Sequence, residues 1–275
     1  MLDVWASVAN LDAATQDRLA AVLETRGADP QQQAMRRAFL ADVAVPAEAS
    51  VLDVGCGTGV LTRTLAGLPG VGRVVGVDPA PSLLAKARQL GEHLPNVAFQ
   101  EADGRALPFA DGEFDVVVFD STLSHVPDPE EALAEAFRVT RPGGALAVFD
   151  GDYATTTVAL GDHDPLQAAV DMMMANSVND RWLVRRLPGL VQGAGFAVVA
   201  FRSHGFVEMA GGYMLTVVER GVDLLVAAGR IGSDLGAALK SEASRRVASG
   251  SFFGHIAYGS LTARKPPLQA TSDTR

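Results

Sequence analysis

Cysteine is almost missing from these 275 residues: Cys56 is the single one. One cysteine excludes an intrachain disulfide and a cysteine-built zinc site. Basic residues are outnumbered, 23 Lys and Arg against 32 Asp and Glu, which leaves a net charge of -9 and a pI near 5.0. A nucleic-acid partner needs a clustered basic surface to displace phosphate counterions, and the one local group, Arg181, Arg185 and Arg186, reads as a solvated helix face. Long apolar runs are missing too. Stretches such as Ala145 to Phe149 are far too short to cross a bilayer, and the first residues do not have the charged-then-apolar layout of a secretory signal. The chain therefore reads as cytoplasmic, with no membrane partner. Its five histidines do not form a ligand set by spacing, and Asp162-His163-Asp164 stands alone, so no metal is expected.

What is present is ample apolar material, 48% hydrophobic with 20% charged, enough for one sizeable core. The organising stretch is Val51-Leu-Asp-Val-Gly-Cys-Gly-Thr-Gly59. Apolar β-prone residues around Asp53 predict a buried strand, and Gly55, Gly57 and Gly59 predict a backbone that turns sharply and lets a ligand approach. A helical pattern (Val60, Leu61, Leu65, Leu68) follows at once, so the turn aims backbone N–H groups at whatever lies above it. Cys56, inside the turn, reads as a small buried filler rather than a nucleophile. The dinucleotide fingerprint is Gly-x-Gly-x-x-Gly, and the spacing here differs, which disfavours a nicotinamide oxidoreductase.

Asp53-x-Gly55-x-Gly57-x-Gly59 resembles motif I of the class I S-adenosylmethionine (SAM) dependent methyltransferases. The resemblance implies that the turn, with Cys56 and Thr58, passes under the methionine part of SAM and that Asp53 helps to hold its ammonium group. Further matches follow in order. Val74 to Val77 predicts a second strand ending at Asp78-Pro79, 19 positions after Gly59, where a carboxylate accepts hydrogen bonds from ribose hydroxyls. Val97 to Gln100 predicts a third strand, followed by a loop similar to the family's adenine-binding motif, with Asp103, Gly104 and Arg105 at the ring. Phe114 to Phe119 predicts a fourth strand, apolar as a buried parallel strand should be, leading to Asp120 and Ser121. Leu123-Ser-His125-Val-Pro-Asp-Pro129 then resembles the branch that includes ubiquinone/menaquinone-type methyltransferases. Arg138 to Gly144 matches that family's turn before a fifth strand, Ala145 to Phe149.

These readings predict an α/β fold: a doubly wound, seven-stranded, Rossmann-like methyltransferase sheet in a single domain over residues 1–265. Residues 1–45 are expected as two cap helices, with N-caps at Asp12 and Asp29, and residues 46–153 as the SAM-binding core. Phe196 to Phe201 and His255 to Ala263 predict an antiparallel edge pair separated by a helical insertion. Residues 154–190 and 207–251 are expected to roof the substrate site, contributing Met172-Met-Met174, Met209, Tyr213, Met214, Phe252 and Phe253 to an apolar cavity, although such residues also fill cores. The polar tail, 266–275, reads as disordered. In the resembled family N-terminal helices cover the pocket, so Gln33 or Arg37 is placed to reach the cofactor carboxylate or else to lie on the helix surface.

Methyl transfer needs alignment, a dry cavity and in some cases a base. His125 is the leading candidate base because an imidazole titrates near neutral pH, with a structural or cofactor-shell role preferred for it; Asp152, Tyr153, His204 and His255 are weaker by position. The function expected is SAM-dependent methylation of O, N or C on a mainly hydrophobic small molecule, quinone-like or a secondary metabolite. The alternative is a protein of the same fold that binds SAM without methylating. A homodimer stays open.

Overall fold

The computed structural model describes Asp3, Trp5, Val8 and residues 11–267. The expected tail therefore lies, from residue 268 onward, outside the described residues. Helices α1 (Ala13–Ala28) and α2 (Pro30–Ala41) come first, and each starts where an aspartate can cap it: Asp12 accepts from the Thr15 N–H and Asp29 from those of Gln31 and Gln32. Then β1 (Ala49–Val54), α3 (Val60–Ala66), β2 (Val71–Asp78), α4 (Pro81–Gly91), β3 (Val97–Glu101) and β4 (Phe114–Asp120) alternate. A 3-10 turn at Leu123–His125 leads to α5 (Pro129–Val139), β5 (Thr140–Thr157), α6 (Pro165–Ser177), α7 (Leu183–Gly193), β6 (Ala197–Glu208), α8 (Tyr213–Ala227), α9 (Ser233–Ala248) and β7 (Gly254–Arg264).

All seven strands form one sheet in the order β3-β2-β1-β4-β5-β7-β6. Strands β1 to β5 run parallel, and β7 is antiparallel to both β5 and β6, which is the expected doubly wound sheet with its antiparallel edge. Strand order reverses between β1 and β4, and in such sheets the crevice beyond the carboxyl ends at the reversal is where ligands bind. The side-chain period of two sorts the core into two layers. Val51, Val118 and Phe149 face one layer with Phe39 of α2, Leu61 and Leu65 of α3, Val170 of α6 and Met214 of α8. Leu52, Val117 and Leu146 face the other with Leu133 of α5 and Leu187 of α7.

Three boundaries differ from the expectation. The fifth strand begins at Thr140 and runs to Thr157, because β7 pairs along it from Ala145↔Arg264 to Asp152↔Ala257 and again at Thr157↔His255; residues 154–157 are strand rather than roof. The sixth strand continues to Glu208, which pairs with Gly254, so polar residues that gave no strand signal are held by the ladder alone. Helix α7 lies on the sheet, with Leu183, Leu187 and Val191 fully buried there, rather than over a substrate site. The remaining roof segments form a helical group in which α6 packs on α8 and α8 on α9. Asp164 caps α6 and pairs with Arg246 of α9 at 2.6 Å, so the Asp162-His163-Asp164 stretch serves as a helix start. Among the described residues no group of side chains could hold a metal ion, and no helix is long and apolar enough to cross a membrane.

Candidate active site

Gly55, Gly57 and Gly59 all adopt positive φ, 73°, 53° and 80°, the left-handed region that side chains disfavour. At Gly55 the space is closed as well, since a Cβ would lie 2.3 Å from Thr122 Cγ2. The turn is pinned from β2: the N–H groups of Gly55 and Cys56 both donate to the Val77 carbonyl, and Gly57 N–H donates to Asp78 Oδ2 at 2.9 Å. Asp78 Oδ1 accepts from Ala80 N–H at 2.9 Å. This carboxylate joins the first and second strand ends, and its remaining lone pairs are available to a ligand hydroxyl. Burial raises its pKa.

Asp53 is more enclosed. Among the described residues only the Thr62 side chain reaches its carboxylate, donating its hydroxyl to Oδ2 at 2.6 Å. Burial pushes its pKa up to about 7, and the nearby charges of Asp120 and Asp78 add to the rise. An apolar-lined acid of this kind is poised to ionise when a cation arrives. Cys56 is buried and its thiol pKa is driven up by that burial, which fits an inert filler.

Asp120, at the tip of β4, pairs with Arg36 Nε at 2.6 Å, with both side chains about 90% or more buried (relative exposures 9% and 8%). Arg36 Nη1 is shut off from solvent and has no partner among the described residues, and the same is true of Thr58 Oγ1. Arg36 sits on the buried stripe of α2 between Met35 and Phe39, whereas Gln33 and Arg37 point outward. Helix α2 thus presents Arg36 to the cavity, where Gln33 or Arg37 had been expected. A charged residue inside an otherwise buried stripe was the available signal. At β3, Asp103 is held by Arg105 through the Arg105 N–H at 2.9 Å and a side-chain pair at 2.7 Å, and the Arg105 hydrogen bonds keep its pKa below the usual carboxylate range.

His125 closes the far wall. Its Nδ1 lies 2.7 Å from Asp3 Oδ2 and its Nε2 3.5 Å from Tyr153 Oη. Asp3 Oδ2 also accepts from Asn179 N–H at 2.8 Å, so Asp3 ties the imidazole to the connection between α6 and α7. Behind it Asp150, fully buried at the middle of β5, accepts from the Ser124 N–H and hydroxyl and from Gly151 N–H. Asp152 pairs with Arg185 and His204 with Ser260, and neither lines the site; His255 stands off it as well.

These groups enclose a cavity of about 240 Å³. Asp53, Gly55, Cys56, Gly57, Thr58, Asp78, Pro79, Asp103, Gly104, Arg105, Asp120, Ser121 and His125 all line it. Gly59 does not: it packs under Phe99 and caps α3. Arg26, Arg36, Trp5 and Val8 line it without having been singled out. The methionines and aromatics expected to form an apolar substrate wall are absent from the lining, because Met174, Met214 and Phe252 are core residues and Met209 is exposed.

Comparison with known proteins agrees with the geometry. A family model described as a methyltransferase domain matches residues 52–148. The demethylmenaquinone methyltransferase of Lactococcus lactis is 31% identical over 173 residues, 57% of this chain and 69% of that protein. The 2-phytyl-1,4-naphtoquinone methyltransferase of Thermosynechococcus vestitus is 42% identical over 114 residues, 41% of this chain and 51% of that protein. Several curated relatives are spanned over only about half their length, at 44% and 51% for two of them. Among solved structures, a protein of Bacillus halodurans described as a methyltransferase superposes with a TM-score of 0.62 at 22% identity, covering 84% of this chain and 98% of that one. The (4+2)-cyclase SpnF superposes with a TM-score of 0.55 at 22% identity, covering 88% and 85%.

Proposed function

We propose, starting from the fact that the chain belongs to the class I SAM-dependent methyltransferases in the branch of the ubiquinone and menaquinone enzymes, that it methylates O, N or C of a small, mainly hydrophobic, quinone-like molecule. SAM is the cofactor of that family. The observation that carries the reading is the convergence of four strand-end carboxylates and the glycine turn on one cavity that also holds two buried polar atoms with no partner among the described residues, Arg36 Nη1 and Thr58 Oγ1. The residues present fit a zwitterionic nucleoside: Asp78 for ribose hydroxyls, Asp103 for the adenine amino group, Asp53 for the ammonium group and Arg36 for the carboxylate.

When bound, SAM would supply an activated methyl group on a sulfonium, with the thioether S-adenosylhomocysteine (SAH) as the leaving product. The chain's own contribution is alignment and exclusion of water. Trp5, Val8 and Leu23 cover the cavity from the N-terminal side, Asp78 and Arg36 would hold the cofactor's two ends, and the glycines would let its backbone neighbours come close. His125, held through Asp3, shapes the acceptor side.

The reading is tested by incubating the full chain with SAM and a panel of hydroquinones and phenols and measuring SAH by mass spectrometry. SAH formed in proportion to a product 14 Da heavier than one acceptor, and lost in Asp78→Ala, supports it. SAM bound tightly with no SAH over any acceptor or extract would instead make the chain a cofactor-binding protein of other chemistry, since one fold can carry different functions.

A further inference from the structure

We propose that Arg26 is the acceptor-binding cation of this site and that the molecule methylated presents an ionised oxygen to it, a carboxylate or the anion of a phenol or enol. The proposal rests on the methyl-transfer reading and deepens it. Arg26 lines the same cavity as the glycine turn. Its Nε is closed to solvent and has no partner among the described residues, and no carboxylate among them lies within ion-pair distance of its guanidinium. The ionisable groups that act on it are Tyr258, Tyr153, Tyr213 and Asp120. Of these only Asp120 is an acid, and it is already matched by Arg36 at 2.6 Å. A half-buried guanidinium without a counter-ion is costly, and an anion entering the cavity lowers that cost.

Position separates this cation from the cofactor's. The groups fitted to ribose and adenine sit on β2 and just beyond β3, at one side of the strand-order reversal, and the turn that fits the methionine end sits at β1. Arg26 faces the other side. Its Nη2 donates to Tyr258 Oη of β7 at 3.2 Å, and its guanidinium carbon lies 5.6 Å from the ring centroid of Tyr213, which opens α8. Tyr258 is held in turn by Gln32 Nε2 at 2.9 Å and stacks on Phe149 of β5. An acceptor would therefore sit toward β5 and β7, where Arg26, backed by Tyr258 and Tyr213, gives the cavity a cationic wall. That wall favours the ionised form of an acidic hydroxyl, whose proton leaves to solvent before transfer. In the transfer itself the anion's lone pair forms the bond to the methyl carbon while the sulfonium's S–C bond breaks, so a cation and an anion become two neutral products.

The test uses the full chain saturated with SAH. Calorimetry compares benzoate with benzamide and naphthoate with naphthamide, and absorbance follows para-nitrophenol, whose ionised form is coloured. The expected result is binding about tenfold or more tighter for the carboxylates, or a bound nitrophenol that is ionised at a pH where the free one is protonated, and whichever class responds identifies the oxygen. Arg26→Gln abolishes the preference, Arg26→Lys keeps part of it, and Tyr258→Phe weakens it several-fold without touching the charge. Equal binding of charged and neutral partners by the wild type, or a preference that survives in Arg26→Gln, overturns the proposal. So does a roughly tenfold loss of SAH affinity in Arg26→Gln with acceptor discrimination unchanged, which would put Arg26 on the cofactor carboxylate. Failure of the methyl-transfer reading shows separately, as an absence of SAH binding by the wild type.

Discussion

Asp53 should make the ligand-free protein less stable as the pH rises. Its carboxyl is enclosed beneath the glycine turn with one hydroxyl partner, and burial lifts its pKa from the ordinary 3.8 to about 7. The folded chain thus holds this proton more tightly than the unfolded chain. The contribution is most favourable below the unfolded value, falls as the pH climbs through the interval, and levels off above about 7. At about 1.36 kcal/mol per pH unit, the interval from pH 5 to 7 corresponds to roughly 3 kcal/mol. Asp53→Asn keeps the shape and an oxygen that can accept from Thr62 but carries no charge, so it should remove this slope. Urea unfolding of both proteins at pH 5 and pH 8 measures it: the variant should gain on the wild type by about 3 kcal/mol at the higher pH while binding SAM more weakly, since the ammonium loses its counter-charge. A gap between the two proteins that is the same at both pH values would refute the assignment of a raised pKa to Asp53.

Gly55→Ala should cost on the order of 2–4 kcal/mol, from a positive φ together with a Cβ 2.3 Å from Thr122, and thermal unfolding will show whether it does. His125→Ala should lower Tm and weaken SAM binding with the pH–rate profile unchanged, because it unties Asp3; a ~10²–10⁴-fold slower single turnover at full affinity and stability would make His125 the base instead. Arg246→Ala strands Asp164 at the start of α6 and should cost about 3 kcal/mol by urea unfolding, yet leave SAM affinity intact because neither residue lines the cavity; a loss of affinity would show that the helical group helps to hold the cofactor.

The strand-end pattern was legible because each carboxylate followed an apolar run of strand length, and a parallel sheet brings all such ends to one edge. That is why Asp53, Asp78, Asp103 and Asp120, separated by up to 67 positions in the chain, meet around one cavity. Arg26 and Arg36 were not legible in the same way. Their roles depend on which face of α1 and α2 meets the sheet, and a one-residue error of phase turns Arg36 into the exposed Arg37. The continuation of β6 to Glu208 was hidden because its pairing partner, β7, lies 46 residues further on and supplies the ladder that the local sequence does not demand. The helical insertion was visible as periodicity, but periodicity does not say whether a methionine faces a ligand or another helix. Here Met174 and Met214 both belong to the buried core in which α6 packs on α8.

Calorimetric titration of the full chain with SAM and SAH, wild type beside Asp78→Ala and Asp78→Asn, tests most directly whether this cavity holds the cofactor. Saturable one-to-one binding in the micromolar range or tighter is predicted for the wild type, with a loss of about tenfold or more in both variants. No heat at millimolar SAM, or unchanged affinity once Asp78 no longer offers a carboxylate, would contradict the assignment.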